Sequence, residues 1–468
     1  MYVSRRLAEP IVSLSTRIRC HVIGIGGPGM SALARLLIEM GHEVTGSDVH
    51  ESEVIAQLRQ RGAAISIGHS ASAVHGADVV TYSTAIPSSN VELVEAQRLT
   101  IELRHRSGML ASVCAAMKAV GVAGTHGKTT TTALLTAMAT ASGLSPSSII
   151  GAEVLDSQEK VHGDGSLLII EADESDGTLD VLPLTCLIVT NIDIDHLDYF
   201  ETFDGVRECF ADAVGRTKGP IVLNADDEGS VEVLATFGQD ARVSTFGRSP
   251  SSTVQVVNSV SRDDGTYVEV RIGDEMFGCN LLLRGEHNAM NFAAALAMAV
   301  QLGVKPSIAC EAASSFIGVA RRFAERGTFQ GSLLIDDYAH LPAEISATIE
   351  TVRSHPARSG RIVAVFQPNR FHRIASMAES YGDCFVGADL IVITDVYASG
   401  TERIEGVTGE LVVSAIRAAH GEADVVWAPS RADTVNAVAQ WIKPGDVCVS
   451  MGCGDIETFP DDLRAVSL

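Results

Sequence analysis

The sequence is short of positive charge. It sets 35 Lys and Arg against 58 Asp and Glu, a formal net charge of −23 over 468 residues. Such a balance argues against a nucleic-acid backbone as partner. Any anion the chain binds must be met by basic residues gathered locally, so Lys128 and the group Arg321, Arg322 and Arg326 carry more information than usual. Also missing is any C-x-x-C pair among the nine scattered cysteines, which leaves zinc and dithiol redox motifs without support. Cys186, Cys279 and Cys448 stand in or beside apolar runs and read as small core residues; free thiols fit a reducing cytosol. No apolar run reaches the ~18 residues of a membrane span, and MYVSRRLAEPIVSL lacks the long apolar stretch of a secretory signal. A cytoplasmic protein is expected, with neither nucleic acid nor membrane among its partners.

What is present is ample material for folded domains, 46% hydrophobic and 20% charged residues, in roughly two to four units. The pattern divides the chain into three α/β segments, 1–116, 117–322 and 323–468. In the first, HVIGIGG is read as a buried strand (His21–Ile25) ending in glycines, followed by an amphipathic helix that stops at Gly41. The second opens with the strand MKAVGVAG and the helix TTTTALLTAMATASG, then places further buried strands at 166–173, 184–192 and 219–227. Its segments TVQVVNSV and TYVEVRIGDEMFGCNLLL alternate as antiparallel strands do. The third carries SLLIDDYA, RIVAVFQP, LIVITDVY and DVCVSMG as strands of another parallel unit.

Two glycine-rich turns between a strand and a helix mark phosphate sites. Gly24-x-Gly26-x-x-Gly29, with Asp48 ending the next strand, has the context of a dinucleotide fingerprint: N–H groups near Met30 and Ser31 for a diphosphate, a carboxylate for a ribose hydroxyl. Taken alone it fits NAD or FAD, or a tight turn with no ligand. The second turn, Gly124-Thr125-His126-Gly127-Lys128-Thr129-Thr130, lacks the first glycine of G-x-x-x-x-G-K-[ST], since Val122 stands there. The mechanics survive: glycines admit phosphate oxygens, Lys128 reaches the β and γ phosphates, and Thr129 offers a hydroxyl to Mg²⁺. Carboxylates for such an ion lie at two strand ends, Glu171, Asp173, Glu174 and Asp176, then Asp193, Asp195 and Asp198 with Asn191 and His196. Arg321, Arg322, Arg370 and Arg373 suit clamping of phosphate or carboxylate, and IDDYAH puts Asp336, Asp337, Tyr338 and His340 at a further strand end. A nucleotide triphosphate in one domain and a nucleotide diphosphate in another suggest activation of a group carried on a nucleotide.

The chain resembles the ATP-dependent Mur ligases of peptidoglycan synthesis. The resemblance runs from about residue 20 to 460 through HVIGIGGPGMSALA (21–34), GSD (46–48), AIPSSN (85–90), GTHGKT (124–129), EADESDGT (171–178), VTNIDIDHLD (189–198), GEHNAMN (285–291), FIGVARRF (316–323), DDYAHLP (336–342), FQPNRFHR (366–373), DVYASG (395–400) and MGCGD (451–455). It implies a Rossmann-like first domain, a central P-loop ATPase-like domain and a Rossmann-like third domain. The motifs GIGGPGMS and DDYAH point to the branch that adds alanine to UDP-N-acetylmuramate through an acyl phosphate. The resemblance places the UDP-sugar on Gly26, Gly27, Gly29, Met30, Ser31 and Asp48, with His69, Thr84 and Ala85 as contributors. It places ATP on Val122, Ala123, Gly124, Thr125, His126, Gly127, Lys128, Thr129 and Thr130, with His287, Asn291, Arg322, Asp337 and Tyr338 around the nucleotide. Thr129, Glu171 and His196 would hold two Mg²⁺ ions, for which Mn²⁺ could substitute. Lys128, His196, His340, Arg370 and Arg373 would carry the chemistry, in a monomer or homodimer.

The chain departs from the family pattern at Leu341, Asn369 and Ser399–Thr401, all near the expected amino-acid site. Residues 191–217 hold no lysine, so a carbamylated lysine is not expected. The departures leave open a same-family ligase for another amino acid or a peptide, and a non-catalytic sensor of ATP and the UDP-sugar. A nicotinamide oxidoreductase would leave residues 124–130 and both acidic clusters without a role.

Overall fold

The structure is a computed structural model that describes residues 9–155, 166–174, 177–195, 200, 202–237 and 240–466. His196, Asp176 and Asp198 of the expected site lie outside the described residues.

Residues 19–116 alternate as β1 (Arg19–Ile23), α1 (Pro28–Glu39), β2 (Glu43–Asp48), α2 (Glu53–Gln60), β3 (Ala64–Ile67), β4 (Val79–Tyr82), α3 (Val91–Arg98), β5 (Glu102–His105) and α4 (Arg106–Ala116). The strands form a parallel sheet in the order β3-β2-β1-β4-β5. The order reverses between β1 and β4, and the crevice at such a point is where doubly wound sheets bind ligands. β1 stops two residues short of the expected Ile25. Gly24 turns to a φ of +70°, which ends the strand, and Gly24 and Ile25 both donate their N–H to the Ser47 carbonyl, at 2.8 and 3.0 Å.

Among the described residues the second sheet has nine strands. Its elements are β6 (Lys118–Ala123), α5 (Lys128–Ala141), β7 (Ser147–Ile149), β8 (Leu167–Glu171), α6 (Thr178–Val181), β9 (Cys186–Val189), α7 (Phe203–Arg216), β10 (Ile221–Asn224), α8 (Glu228–Phe237), β11 (Val243–Gly247), β12 (Val254–Arg262), β13 (Gly265–Ile272), β14 (Glu275–Leu281), α9 (Glu286–Gln301) and α10 (Pro306–Ser314). The order is β14-β13-β12-β11-β10-β9-β6-β8-β7, with β12, β13 and β14 antiparallel as their alternation implies. The alanines of α9 let it lie close against α5, and both helices are buried along most of their length. Register fixes the working edge: Val122 pairs with Glu171 and Ala123 with Val189, so the loops after β6, β8 and β9 leave the sheet side by side.

The last unit comprises β15 (Ala324–Phe329), β16 (Ser332–Asp337), α11 (Pro342–Arg353), β17 (Ile362–Phe366), α12 (Phe371–Met377), β18 (Leu390–Ile393), α13 (Glu410–Ala419), β19 (Val425–Trp427), α14 (Arg431–Trp441), β20 (Val447–Met451) and α15 (Phe459–Arg464). The sheet order is β15-β16-β20-β17-β18-β19. It is not wholly parallel, as the sequence suggested: β15 runs antiparallel to β16, because the two-residue turn Gln330–Gly331, both at positive φ, folds one directly onto the other. Asp337 and Phe366 both register with Met451, which gathers DDYAH, FQPNR and MGCGD at one edge. Eight of the nine cysteines are buried core residues; Cys453, at that edge, is not.

Candidate active site

The first glycine turn is held by carboxylate and carbonyl. Asp48 Oδ2 accepts the Gly26 N–H at 2.8 Å, so the residue expected to meet a ribose also braces the turn. The N–H groups of Met30 and Ser31, expected to face a diphosphate, are engaged within the start of α1. Both donate to the Gly27 carbonyl, at 3.0 and 2.8 Å, because Gly27 caps α1 and its carbonyl closes the first helical turn. Among the described residues this leaves the Gly29 N–H without a protein acceptor. A residue the sequence reading missed stands beside it: a Cβ on Gly29 would fall 2.6 Å from Arg106 Nη1. Its signal was a basic residue directly after β5, at the same sheet edge. His69 Nδ1 lies 3.0 Å from Ser47 Oγ, and Thr84 and Ala85 are exposed in the turn after β4.

The second turn is built for charge. Val122 and Ala123 are buried β6 residues that deliver the loop. Gly124 (φ +128°) and Gly127 (φ +80°) adopt conformations that a side chain would strain, and a Cβ on Gly124 would meet Thr190 Oγ1 at 2.1 Å. Lys128 Nζ donates to the Gly124 carbonyl at 2.6 Å and to both oxygens of Glu174 at 3.1 Å. Burial works against its charge, but Glu174, Asp173 and Glu171 outweigh burial and raise the Lys128 pKa. Thr129 Oγ1 donates to Glu171 Oε1 at 3.1 Å, and Glu171 Oε2 accepts the Gly151 N–H at 2.8 Å. His126 stands between carboxylates, Glu344 Oε1 at 3.1 Å from Nδ1 and Asp193 Oδ2 at 3.5 Å from Nε2. Burial lowers its pKa, yet the two carboxylates prevail and hold it at about 9, so it is an imidazolium at neutral pH.

Two adjoining cavities open from this loop. One, of 280 Å³, runs between Thr130, Asn191, Phe246, His287, Asn291 and Asp337, with an apolar wall and amide groups. Burial and the Arg322 charge push His287 down to about 4, and burial pushes the Asp337 carboxyl up to about 6. Asp337 accepts the N–H of Phe323 and of Ala339, both at 2.7 Å, tying the residue before β15 to the end of β16. The other cavity, of 560 Å³, places Lys128, Thr129 and Glu171 opposite Tyr338, His340 and Arg370. Arg322 reaches Thr129 Oγ1 at 3.4 Å, and its guanidinium lies 5.0 Å from the Tyr338 ring centre. Thr125 completes the loop by accepting the Asp193 N–H at 2.9 Å.

The arginines of the third unit divide into committed and uncommitted. Arg373 is buried; it donates to Asn369 Oδ1 at 2.8 Å and to Asp195 Oδ1 at 3.1 Å across the interface. Arg370 sits at a φ of +59°, its N–H on the Tyr397 carbonyl at 2.9 Å. Among the described residues its guanidinium has no partner, and it lines the larger cavity. A non-glycine residue held in that conformation at a cavity wall is a strain that the surroundings impose. Asn369 is therefore the support of Arg373, and Leu341, 3% exposed, packs at the start of α11. Arg321 also lines the larger cavity but is committed, to Asp336 at 3.2 Å and the Gly452 carbonyl at 2.7 Å.

Comparison with known proteins adds a family and relatives. Residues 19–118 match the Mur ligase family catalytic domain, 122–299 the Mur ligase middle domain and 321–454 the Mur ligase glutamate ligase domain. The UDP-N-acetylmuramate–L-alanine ligase of Bradyrhizobium sp. (strain ORS 278) is 38% identical over 460 residues, 95% of this chain and 98% of that protein. The ligase of the same name from Rhizobium meliloti (strain 1021) is 39% identical over 464 residues, 96% of this chain and 97% of that protein. Among solved structures, the UDP-N-acetylmuramate-alanine ligase MurC of Thermotoga maritima superposes with a TM-score of 0.74 at 26% identity, covering 96% of this chain and 98% of that one.

Proposed function

The chain belongs to the Mur ligase family, and from that premise we propose that it joins L-alanine to the lactyl carboxylate of UDP-N-acetylmuramate, with cleavage of ATP, in peptidoglycan precursor synthesis. The observation that carries the reading is the 560 Å³ chamber in which the phosphate loop of one domain faces the uncommitted Arg370 of another. Phosphate transfer and amine attack need such a meeting place, closed to water.

The first glycine turn, with Gly26, Gly27, Gly29 and Asp48, holds the UDP part, and Arg106 offers a cation for its diphosphate. ATP lies with its base in the 280 Å³ cavity beside His287 and Asn291, and its phosphates on residues 124–130. In the first step a lactyl carboxylate oxygen attacks the γ-phosphorus, and the bond to the bridging β–γ oxygen breaks to release ADP. In the second the amine nitrogen attacks the acyl carbon, the carbon–oxygen bond to phosphate breaks, and the amine loses a proton. Both steps bring anions together, so cations fixed before the reaction supply most of the stabilisation. Lys128 follows the transferred phosphate, Arg322 reaches over Thr129, and Arg370 takes the carboxylate of the incoming amino acid.

The hard oxygens of Thr129 and Glu171 suit Mg²⁺, which takes few protein ligands and completes its shell with phosphate oxygens and water. When bound, the ion neutralises charge on the β and γ phosphates. No helix among the described residues is long and apolar enough to cross a membrane.

The test is chemical trapping. With ATP, Mg²⁺ and UDP-N-acetylmuramate but no amino acid, hydroxylamine should convert the acyl phosphate into a hydroxamate, with one ADP formed for each. ADP release that ignores the UDP-sugar, with no hydroxamate, would overturn the reading.

A further inference from the structure

Glu344 has no place in the scheme above, yet it lies where both cavities meet the phosphate loop. Its two oxygens do different things. Oε2 accepts the N–H groups of His340 and Leu341, at 2.9 and 3.2 Å, which caps the start of α11. Oε1 crosses to the middle domain and meets Nδ1 of His126, in the phosphate loop itself, at 3.1 Å. The partners are 218 residues apart in the chain. The contact is charged on both sides: burial opposes ionisation of Glu344, but His340, His126 and Arg322 hold it well below the carboxylate range. At neutral pH the charges it faces are the His126 imidazolium and Arg322.

The same carboxylate lies beside a second imidazole. Nδ1 of His340 hydrogen-bonds to the Tyr338 carbonyl, an acceptor only, at 3.1 Å, and lies 3.2 Å from Glu344 Oε2 without a hydrogen bond to it. Burial pushes His340 down to about 4, so its ring is neutral at neutral pH and the one ring hydrogen sits on Nδ1, facing the Tyr338 carbonyl. Its Nε2 keeps a lone pair, has no partner among the described residues, and belongs to a side chain that lines the reaction chamber.

A carboxylate beside a triphosphate repels its ligand, and a cap alone does not need the charge, since glutamine also caps a helix start. We propose that Glu344 is a positioning residue: it ties the phosphate loop to the third domain through His126, so that phosphate transfer and amine attack share one closed geometry. The proposal rests on the ligase reading.

Glu344→Gln separates the cap from the charge. It should melt within about 2 °C of the wild type and lose about tenfold or more in kcat/KM for ATP, while KM for UDP-N-acetylmuramate stays unchanged. His126→Gln, which leaves the cap untouched, should lose a similar factor, and the double variant should fall little below the worse single one. In ¹⁵N spectra of labelled histidine, His126 should keep both ring protons up to about pH 9 in the wild type and lose one at lower pH in Glu344→Gln. A Glu344→Gln variant with wild-type kcat/KM would overturn the proposal, and so would losses that multiply in the double variant. If Glu344→Gln melts lower, the His126→Gln result decides, full activity there refuting the coupling. An inactive wild type would instead sink the ligase reading, so the two failures are distinguishable.

Discussion

Residues 24–29 and 124–129 are both glycine turns that carry a parallel strand into a helix, yet they are furnished in opposite ways. In the first, acceptors hold the backbone: Ser47 O takes two N–H groups and Asp48 takes a third. In the second, Lys128 and Thr129 enter the helix facing Glu174 and Glu171. A turn that only holds a diphosphate needs shape and a few donors. A turn where a phosphate is transferred needs a cation that stays charged without its ligand, and carboxylates beside it maintain that charge.

Four perturbations test this contrast, each expected to touch one turn and spare the other. Lys128→Ala should lower kcat by roughly a thousandfold, the scale of losing one transition-state cation, while calorimetry still finds UDP-N-acetylmuramate bound with wild-type affinity. Loss of that binding too would mean that the turns are not independent. Chelating divalent metal should stop turnover to a similar extent and again spare UDP-sugar binding; turnover persisting in EDTA would remove Thr129 and Glu171 from their assigned role. Gly124→Ala should reduce kcat/KM for ATP by about a hundredfold, the cost of a loop displaced by about 1 Å, since its Cβ would lie 2.1 Å from Thr190 Oγ1 and 2.9 Å from backbone atoms. Gly26→Ala should be milder. Its Cβ would meet the ends of Asp48 and Ile55 at 3.0 and 3.1 Å, which can give way. KM for the UDP-sugar should rise about tenfold, equivalent to ~1.4 kcal/mol, with KM for ATP unchanged. Steady-state kinetics that showed the two alanines affecting the same substrate would erase the contrast.

The contrast was partly legible in the sequence, because glycine spacing, a following lysine and strand-end carboxylates are local signals. The three-domain α/β class was legible for the same reason: strand and helix periods alternate along the chain. What escaped is set by distance. Glu344 looks like one more helical glutamate until α11 is docked on residue 126. Arg370 and Arg373 read alike three residues apart, and only the fold commits one to Asp195 and leaves the other to the chamber. Arg106 gains meaning only once the fold brings the residue after β5 beside Gly29. The direction of β15 and the engaged N–H groups of Met30 and Ser31 depend on turn and cap geometry, which residue types alone do not fix.

The most direct test of the ligase reading is a panel of amino acids incubated with the purified chain, ATP, Mg²⁺ and UDP-N-acetylmuramate, with products weighed by mass spectrometry. The account predicts a UDP-N-acetylmuramoyl-alanine product with one ADP and one phosphate per bond, and L-alanine preferred over the rest. Another amino acid preferred, or ADP and phosphate released with no amide formed, would contradict it.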